Sequence, residues 1–335
     1  MSLQQQNDQP RHRLSSLARL STWVVTFACF YLVYTRTQAA AAVDGMTVLG
    51  YLRFFFESAS WSRWLLLMIP YSLFFFLVDS HATWRVIRWF NSSAVRFRDI
   101  LPIRASAYIL SLLNEQVGKG AMSLYLLRRH QIPGWQAVSS MILLAVVEVY
   151  QLLLFSALGV FLYFDLVVSA SSILPLATIL LWVYGIALVY LPLHLLYFSG
   201  RLFKQSGFRD KPIFHALRQA RWLDYVLILL CKAPNLLMAI VVYTLALQLF
   251  SVDVRFEQML AFLPVIFIAA ALPLPFHAGA LLLWTVLFPE YPEVGVFSLV
   301  MHTFFVTFNA CIGLVFLPVA NRELFLDGLS STEPK

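Results

Sequence analysis

Asn114-Glu115-Gln116-Val117-Gly118-Lys119-Gly120 cuts an apolar segment that runs from about residue 101 to 127. Pro273-Leu274-Pro275-Phe276-His277-Ala278-Gly279 cuts a second, from about 258 to 288. A helix crossing a bilayer needs about 20 predominantly apolar residues, and neither segment supplies them without reading through its break. The flanks point the same way. Arg104 and Arg128/Arg129 bracket the first segment, Glu257 and Glu290 the second. Basic residues concentrate in cytoplasmic loops, so a segment with like flanks is predicted to dip into the membrane and return to its starting face. The first then re-enters from the cytoplasm and the second from outside. The alternative is two kinked spanning helices, giving eight crossings.

Around these breaks the sequence reads as membrane protein. Of its 335 residues 60% are hydrophobic, 16% aromatic and only 12% charged, against roughly 45–50% apolar and about 25% charged in soluble domains. Six further apolar runs are long enough to span: roughly 18–40, 61–80, 137–163, 173–198, 225–250 and 295–320. The gaps between them can be signed. Residues 1–19, 81–104 and 199–224 are rich in Arg and Lys and read as cytoplasmic; those around Asp165, Asp253 and Glu290/Glu293 read as external. Both termini are therefore expected in the cytoplasm, and the protein in the cell's inner membrane. The first run is read as an uncleaved signal-anchor, since Arg36 precedes the Ala39–Ala42 cluster that would otherwise resemble a cleavage region.

The expected fold is all-α, a polytopic transmembrane helical bundle of about six full spans and two re-entrant hairpins. Span, hairpin and span over 61–163 recur over 225–320 in opposite orientation, an inverted repeat of the kind transporters use. These repeats sit in a single membrane domain, 1–335. Residues 1–60 form a tail and first span, 164–224 a connector span and basic loop, and 321–335 a C-terminal tail.

Net charge of +7 follows topology, and nucleic acid is excluded as a partner. Cys29, Cys231 and Cys311 all lie in apolar runs without a CxxC pair, so no metal site, disulfide framework or cofactor is expected. Walker A, GxGxxG, HExxH and GxSxG strings are absent. The chemistry must then lie in polar groups at membrane depth, where an ionisable side chain costs about 2.5–3.5 kcal/mol on insertion scales. Glu148 falls mid-span with Gln151 nearly one turn on. Glu115, Gly118, Lys119 and Gly120 form the first break, and Arg128 and Arg129 its exit, at phosphate depth. Lys232 and Asn235, the latter after Pro234, mark the fifth span. Pro273, Pro275, His277 and Gly279 form the second break, and Asn309 is mid-span in the last helix. Plain structural readings stand beside these: Glu115 pairing with Lys119, Lys232 snorkelling to the surface, and the two arginines serving topology alone. Asp79 and His81 read as interfacial, as does the amphipathic Trp84-Arg85-Val86-Ile87-Arg88-Trp89-Phe90 stretch.

Arg85 to Trp89, then Gly118-Lys119-Gly120, then Tyr125-Leu126-Leu127-Arg128-Arg129 and a span with central Glu148 resemble the lysylphosphatidylglycerol synthetase transmembrane region, or flippase-like, family. Pro273-Leu274-Pro275 with Gly279 is similar to that family's second Pro/Gly element, and the likeness covers roughly residues 60–320. The chain departs from the pattern in having Asn114-Glu115-Gln116 before the first glycines, Val149 after Glu148, and Leu281 to Leu283 after the second element. The resemblance implies a translocation module, not an enzyme. It would move a phospholipid or lipid-linked glycan made by another protein, such as a lipid synthase or glycosyltransferase acting upstream. A membrane-embedded lipid-dependent transferase, or an accessory subunit of one, is the alternative, and a proton-coupled solute transporter using Glu148 is a third. In the hairpin reading a cysteine at position 130 is labelled by impermeant reagent from the cytoplasm and one at 255 from outside. Labelling of 130 only from outside contradicts the hairpin for the first segment.

Overall fold

Lipid offers no hydrogen-bond partners to a backbone, so apolar runs of this length can only satisfy their N–H and C=O groups within helices. The structure, a computed structural model, describes residues 9–113, 115–170, 174–203, 207–272 and 274–323, and among these the side chains outside 9–19, 111–117, 119 and 170. Over the described residues the chain is helical and has no strand. In chain order the helices are α1 (Gln9–Val43), α2 (Val48–Glu57), α3 (Trp61–Phe90), α4 (Phe97–Leu113), α5 (Glu115–His130), α6 (Gly134–Leu162) and α7 (Phe164–Ala170). There follow α8 (Leu176–Phe198), the short α9 (His215–Gln219), α10 (Trp222–Gln248), α11 (Phe256–Ala270), α12 (Ala278–Leu287) and α13 (Val294–Asn321). Five of these, α3, α6, α8, α10 and α13, are long and apolar enough to cross a membrane. A sixth crossing is available if α1 from Leu20 and α2, bent by 81° at their junction, form one broken span. The architecture is the expected polytopic helical bundle.

Both interrupted segments fold as pairs of short helices packed on each other, α4 on α5 and α11 on α12. The second hairpin is tight at Gly279, where a Cβ would stand 3.0 Å from the Ala269 carbonyl oxygen, a fit that the facing backbone would have to ease by a few tenths of an ångström. Its tip is held by two residues in the left-handed region, Phe276 (φ 56°) and His277 (φ 51°), with His277 Nδ1 3.0 Å from the Ala270 carbonyl oxygen. The first break is narrower than the sequence suggested. Gly118, Lys119 and Gly120 belong to α5, while position 114, between α4 and α5, lies outside the described residues. The Gly120 N–H is then inside the helix, where the intrahelical ladder uses it.

The chain divides into two compact units. One comprises residues Met1–Ser60, Ser156–Ala177 and Leu247–Met301. Within it α1 packs on α12, and α7 on both arms of the second hairpin. The ring of Phe30 meets that of Phe276 edge-on at 6.3 Å. Tyr51 Oη donates to Glu293 Oε2 at 2.7 Å.

The other unit comprises Trp61–Phe155, Thr178–Ala246 and His302–Lys335. Its core joins Ala82, Val86, Leu143, Val147 and Ile228 in one cluster and Ile87, Ile100, Met122, Tyr125 and Leu126 in another. Aromatic contacts keep their order along α3 and α13, with Trp64 against Phe304 (4.8 Å), Phe75 against Phe305 (4.6 Å) and Phe76 against Phe316 (6.0 Å). The two helices therefore run in the same direction. Gly313 presses against α4, leaving 2.6 Å between an added Cβ and the Ala105 carbonyl oxygen.

The amphipathic Trp84–Phe90 stretch forms the last turns of α3. Val86 and Ile87 have no exposure: its apolar face meets α6 and α10 residues of one core cluster and hairpin residues of the other. Its arginines lie over indole rings, Arg85 over Trp84 at 5.0 Å and Arg88 over the same ring at 5.4 Å, which keeps their charge against aromatic faces.

Candidate functional site

A carboxylate in the middle of an apolar helix must find compensating charge. Asp79 of α3 is 2% exposed and has found three partners. Its Oδ2 accepts from Arg104 Nε of α4 at 2.6 Å and from Tyr108 Oη, one turn further along α4, at 2.8 Å. Its Oδ1 faces Lys232 Nζ of α10 at 3.5 Å. Lys232 in turn lies 3.0 Å from Glu148 Oε2 of α6. Four charges on four helices thus form one chain: Arg104, Asp79, Lys232, Glu148. Each sits in the middle third of its helix, and the charges sum to zero.

The members differ in access. The side chains of Asp79 and Lys232 are 2% and 4% exposed and that of Arg104 23%, but that of Glu148 is 50% exposed. Glu148 is the member that an approaching molecule meets first. Around it the unit carries polar groups whose hydrogen-bonding capacity is unused within the protein. The Asn235 amide donates through Nδ2 to the Phe75 carbonyl at 3.4 Å, while its Oδ1 has no partner. Asn309 Oδ1 and the hydroxyls of Ser72, Ser80, Thr83 and Ser106 are likewise buried without one. Buried polar atoms are nearly always satisfied by protein or water. Each of these atoms is therefore open to a water molecule or a ligand group.

Some of these groups lie close to the network along its helices, Ser80 and Thr83 within about one turn of Asp79 and Ser72 about two turns away. Ser72, Asp79 and Thr83 follow one another at helical spacing along α3, and Asn235 is three residues beyond Lys232 on α10. Asn309 lies one turn from Phe305, whose ring packs on Phe75, and one turn from Gly313, which abuts Ala105 and Ile109.

Of the residues singled out from sequence, the structure brings Glu148 and Lys232 into direct contact, places Asn235 three residues beyond Lys232 on α10 with its amide on the Phe75 carbonyl, and buries Asn309 on α13. Gln151 is buried nearly one turn from Glu148 on α6. Arg128 and Arg129 are exposed in the last turn of α5. Gly118 is buried and Gly120 exposed in the same helix, but the side chains of Glu115 and Lys119 lie outside the described residues. Pro275 and His277 belong to the turn of the second hairpin in the other unit, Gly279 to the first turn of α12, and Pro273 lies outside the described residues.

Three members of the network escaped the sequence reading. Asp79 and Arg104 were assigned to the interface and to a cytoplasmic loop, and Tyr108 went unnoticed. The signal was the lone acid at the end of an apolar run, beside a stretch carrying five arginines. Lys232 does not snorkel; both of its contacts are carboxylates inside the unit. Among the described residues no group of three or more His, Cys, Asp or Glu side chains converges as a metal site would.

The fold and this site define the class: a multi-pass integral membrane protein with a buried, internally neutral charge network. Comparison with protein-family models, with curated proteins and with solved structures finds no match.

Replacing Asp79 by Asn leaves Arg104 without its carboxylate and Lys232 with Glu148 alone. Removing one partner of a buried pair typically costs about 3–5 kcal/mol. Asp79→Asn is expected to lower the thermal unfolding temperature of the purified protein in detergent markedly, and an unchanged midpoint contradicts the network's structural weight.

Proposed function

We propose that this chain is a flippase-like protein of the cell's inner membrane, with both termini in the cytoplasm. It carries or presents the head group of a phospholipid or lipid-linked glycan between leaflets while the tails stay in lipid. The observation that supports this reading is the Lys232–Glu148 pair. A buried cation is neutralised by a carboxylate that is itself half exposed, in a unit whose amide oxygens and hydroxyls await partners. A charged head group needs such a stopping place at membrane depth, because the hydrocarbon core alone sets a barrier of several kcal/mol to it. Arg128 and Arg129, exposed at the end of the first hairpin, suit the collection of phosphate from the surface. The resemblance to the lysylphosphatidylglycerol synthetase transmembrane region agrees with this reading, as does the pair of broken helices. The cargo would come from a separate lipid synthase or glycosyltransferase.

Proteoliposomes containing fluorescent phosphatidylglycerol test the reading. The native protein is expected to exchange label between leaflets faster than protein-free vesicles, and Lys232→Met to bring the rate down at least tenfold. Native protein indistinguishable from empty vesicles contradicts it.

A further inference from the structure

The Lys232–Glu148 contact has an asymmetry that a purely structural pair does not need. Lys232 is almost fully enclosed, yet the carboxylate that balances it is open on one side. Asp79, the other carboxylate within reach, stands farther off at 3.5 Å and gives its second oxygen to Arg104 and Tyr108. Asp79 is therefore fixed from two sides, whereas Glu148 meets Lys232 through one oxygen. If Glu148 swings away, the enclosed ammonium keeps a carboxylate on one flank and has a donor free on the other for another oxyanion.

We propose that Glu148 is an internal stand-in for the substrate's phosphate, and that a phosphate-bearing head group takes Lys232 from it. This rests on the flippase reading above and deepens it by naming the anion's seat. The exchange is close to neutral electrostatically, since one oxyanion replaces another and the released carboxylate turns towards the side on which it is already exposed. Lys232 is thus never left as an uncompensated buried cation, which would cost several kcal/mol.

The unpartnered groups extend the argument to the rest of the head group. Asn235 Oδ1 and Asn309 Oδ1 are acceptors on residues 6% and 4% exposed, so what they lack is a donor. A phosphodiester anion cannot supply one, but hydroxyls on a glycerol or sugar can. Acceptors left unpaired by the wrong ligand discriminate strongly against it. The seat therefore fits a hydroxylated phosphodiester or phosphomonoester, and it disfavours a quaternary ammonium head group, which has no N–H or O–H to give.

The test uses the full chain in detergent and short-chain lipids as probes. Affinities for dihexanoyl phosphatidylglycerol, dihexanoyl phosphatidylcholine and inorganic phosphate are measured by tryptophan fluorescence on native protein, Glu148→Gln and Lys232→Met. Removing the internal competitor is expected to tighten phosphatidylglycerol binding about tenfold in Glu148→Gln, while Lys232→Met loses it and phosphatidylcholine binds more weakly throughout. Unchanged or weaker phosphatidylglycerol binding in Glu148→Gln overturns the proposal. If Glu148→Gln is not monodisperse, Glu148→Asp, whose carboxylate is drawn back by one methylene, gives the same comparison with a smaller gain expected, and no gain again overturns it. Inorganic phosphate binding that depends on Lys232 and tightens in Glu148→Gln, with no lipid binding, supports the displacement and assigns the seat to a soluble phosphate compound. Head-group binding with no leaflet exchange by the native protein ends the flippase reading and leaves the displacement standing. Exchange with no gain in Glu148→Gln ends the displacement alone.

Discussion

One carboxylate, that of Asp79, holds the second unit of this protein together. It reaches a guanidinium on α4 and an ammonium on α10, and through the latter a second carboxylate on α6. Lipid-facing packing gives helices little hydrophobic reason to choose one neighbour over another, because acyl chains are as apolar as leucine. Charge does discriminate. An arginine or lysine at mid-helix is tolerable only where its partner waits, so the network fixes which helices meet and at what height. The apolar clusters on either side, built on Val86 with Ile228 and on Ile87 with Leu126, then pack around a geometry already chosen.

The same physics separates a structural site from a working one. A neutral, closed network would only tie helices together. This one is neutral but open at Glu148, and the same unit holds buried hydroxyl and amide groups that the protein does not satisfy itself. Stability would favour apolar replacements of similar volume at those positions.

Much of the fold could be read from the sequence because its determinants are local. Apolar length gave the long helices α3, α6, α8, α10 and α13, and matched flanking charge gave the two hairpins. The identities of Glu148, Lys232, Asn235 and Asn309 as candidates followed from a single rule about polar groups in lipid. Their mutual arrangement did not, since contacts across 84 residues between Glu148 and Lys232, or 25 between Asp79 and Arg104, depend on which helices are neighbours. Periodicity carries no such information. Asp79 and Arg104 were misread for a related reason: the arginine-rich stretch after the second apolar run looked like one loop, whereas α3 continues to Phe90 and α4 begins at Phe97. Charge density cannot distinguish a loop from two helix ends carrying basic faces. Likewise, glycines inside the first break suggested open backbone, yet α5 absorbs them, because a helix tolerates glycine at about 1 kcal/mol each.

The central claim is that Asp79 and Lys232 act as one coupled unit at the heart of this membrane-embedded bundle. Thermal unfolding of Asp79→Asn, Lys232→Gln and the double variant in detergent tests it most directly. Each single change leaves a buried charge short of its counter-charge, while the double change removes one of each sign and leaves Arg104 and Glu148 in balance. The double variant is predicted to be more stable than Asp79→Asn alone. Strict additivity of the two losses would contradict the account.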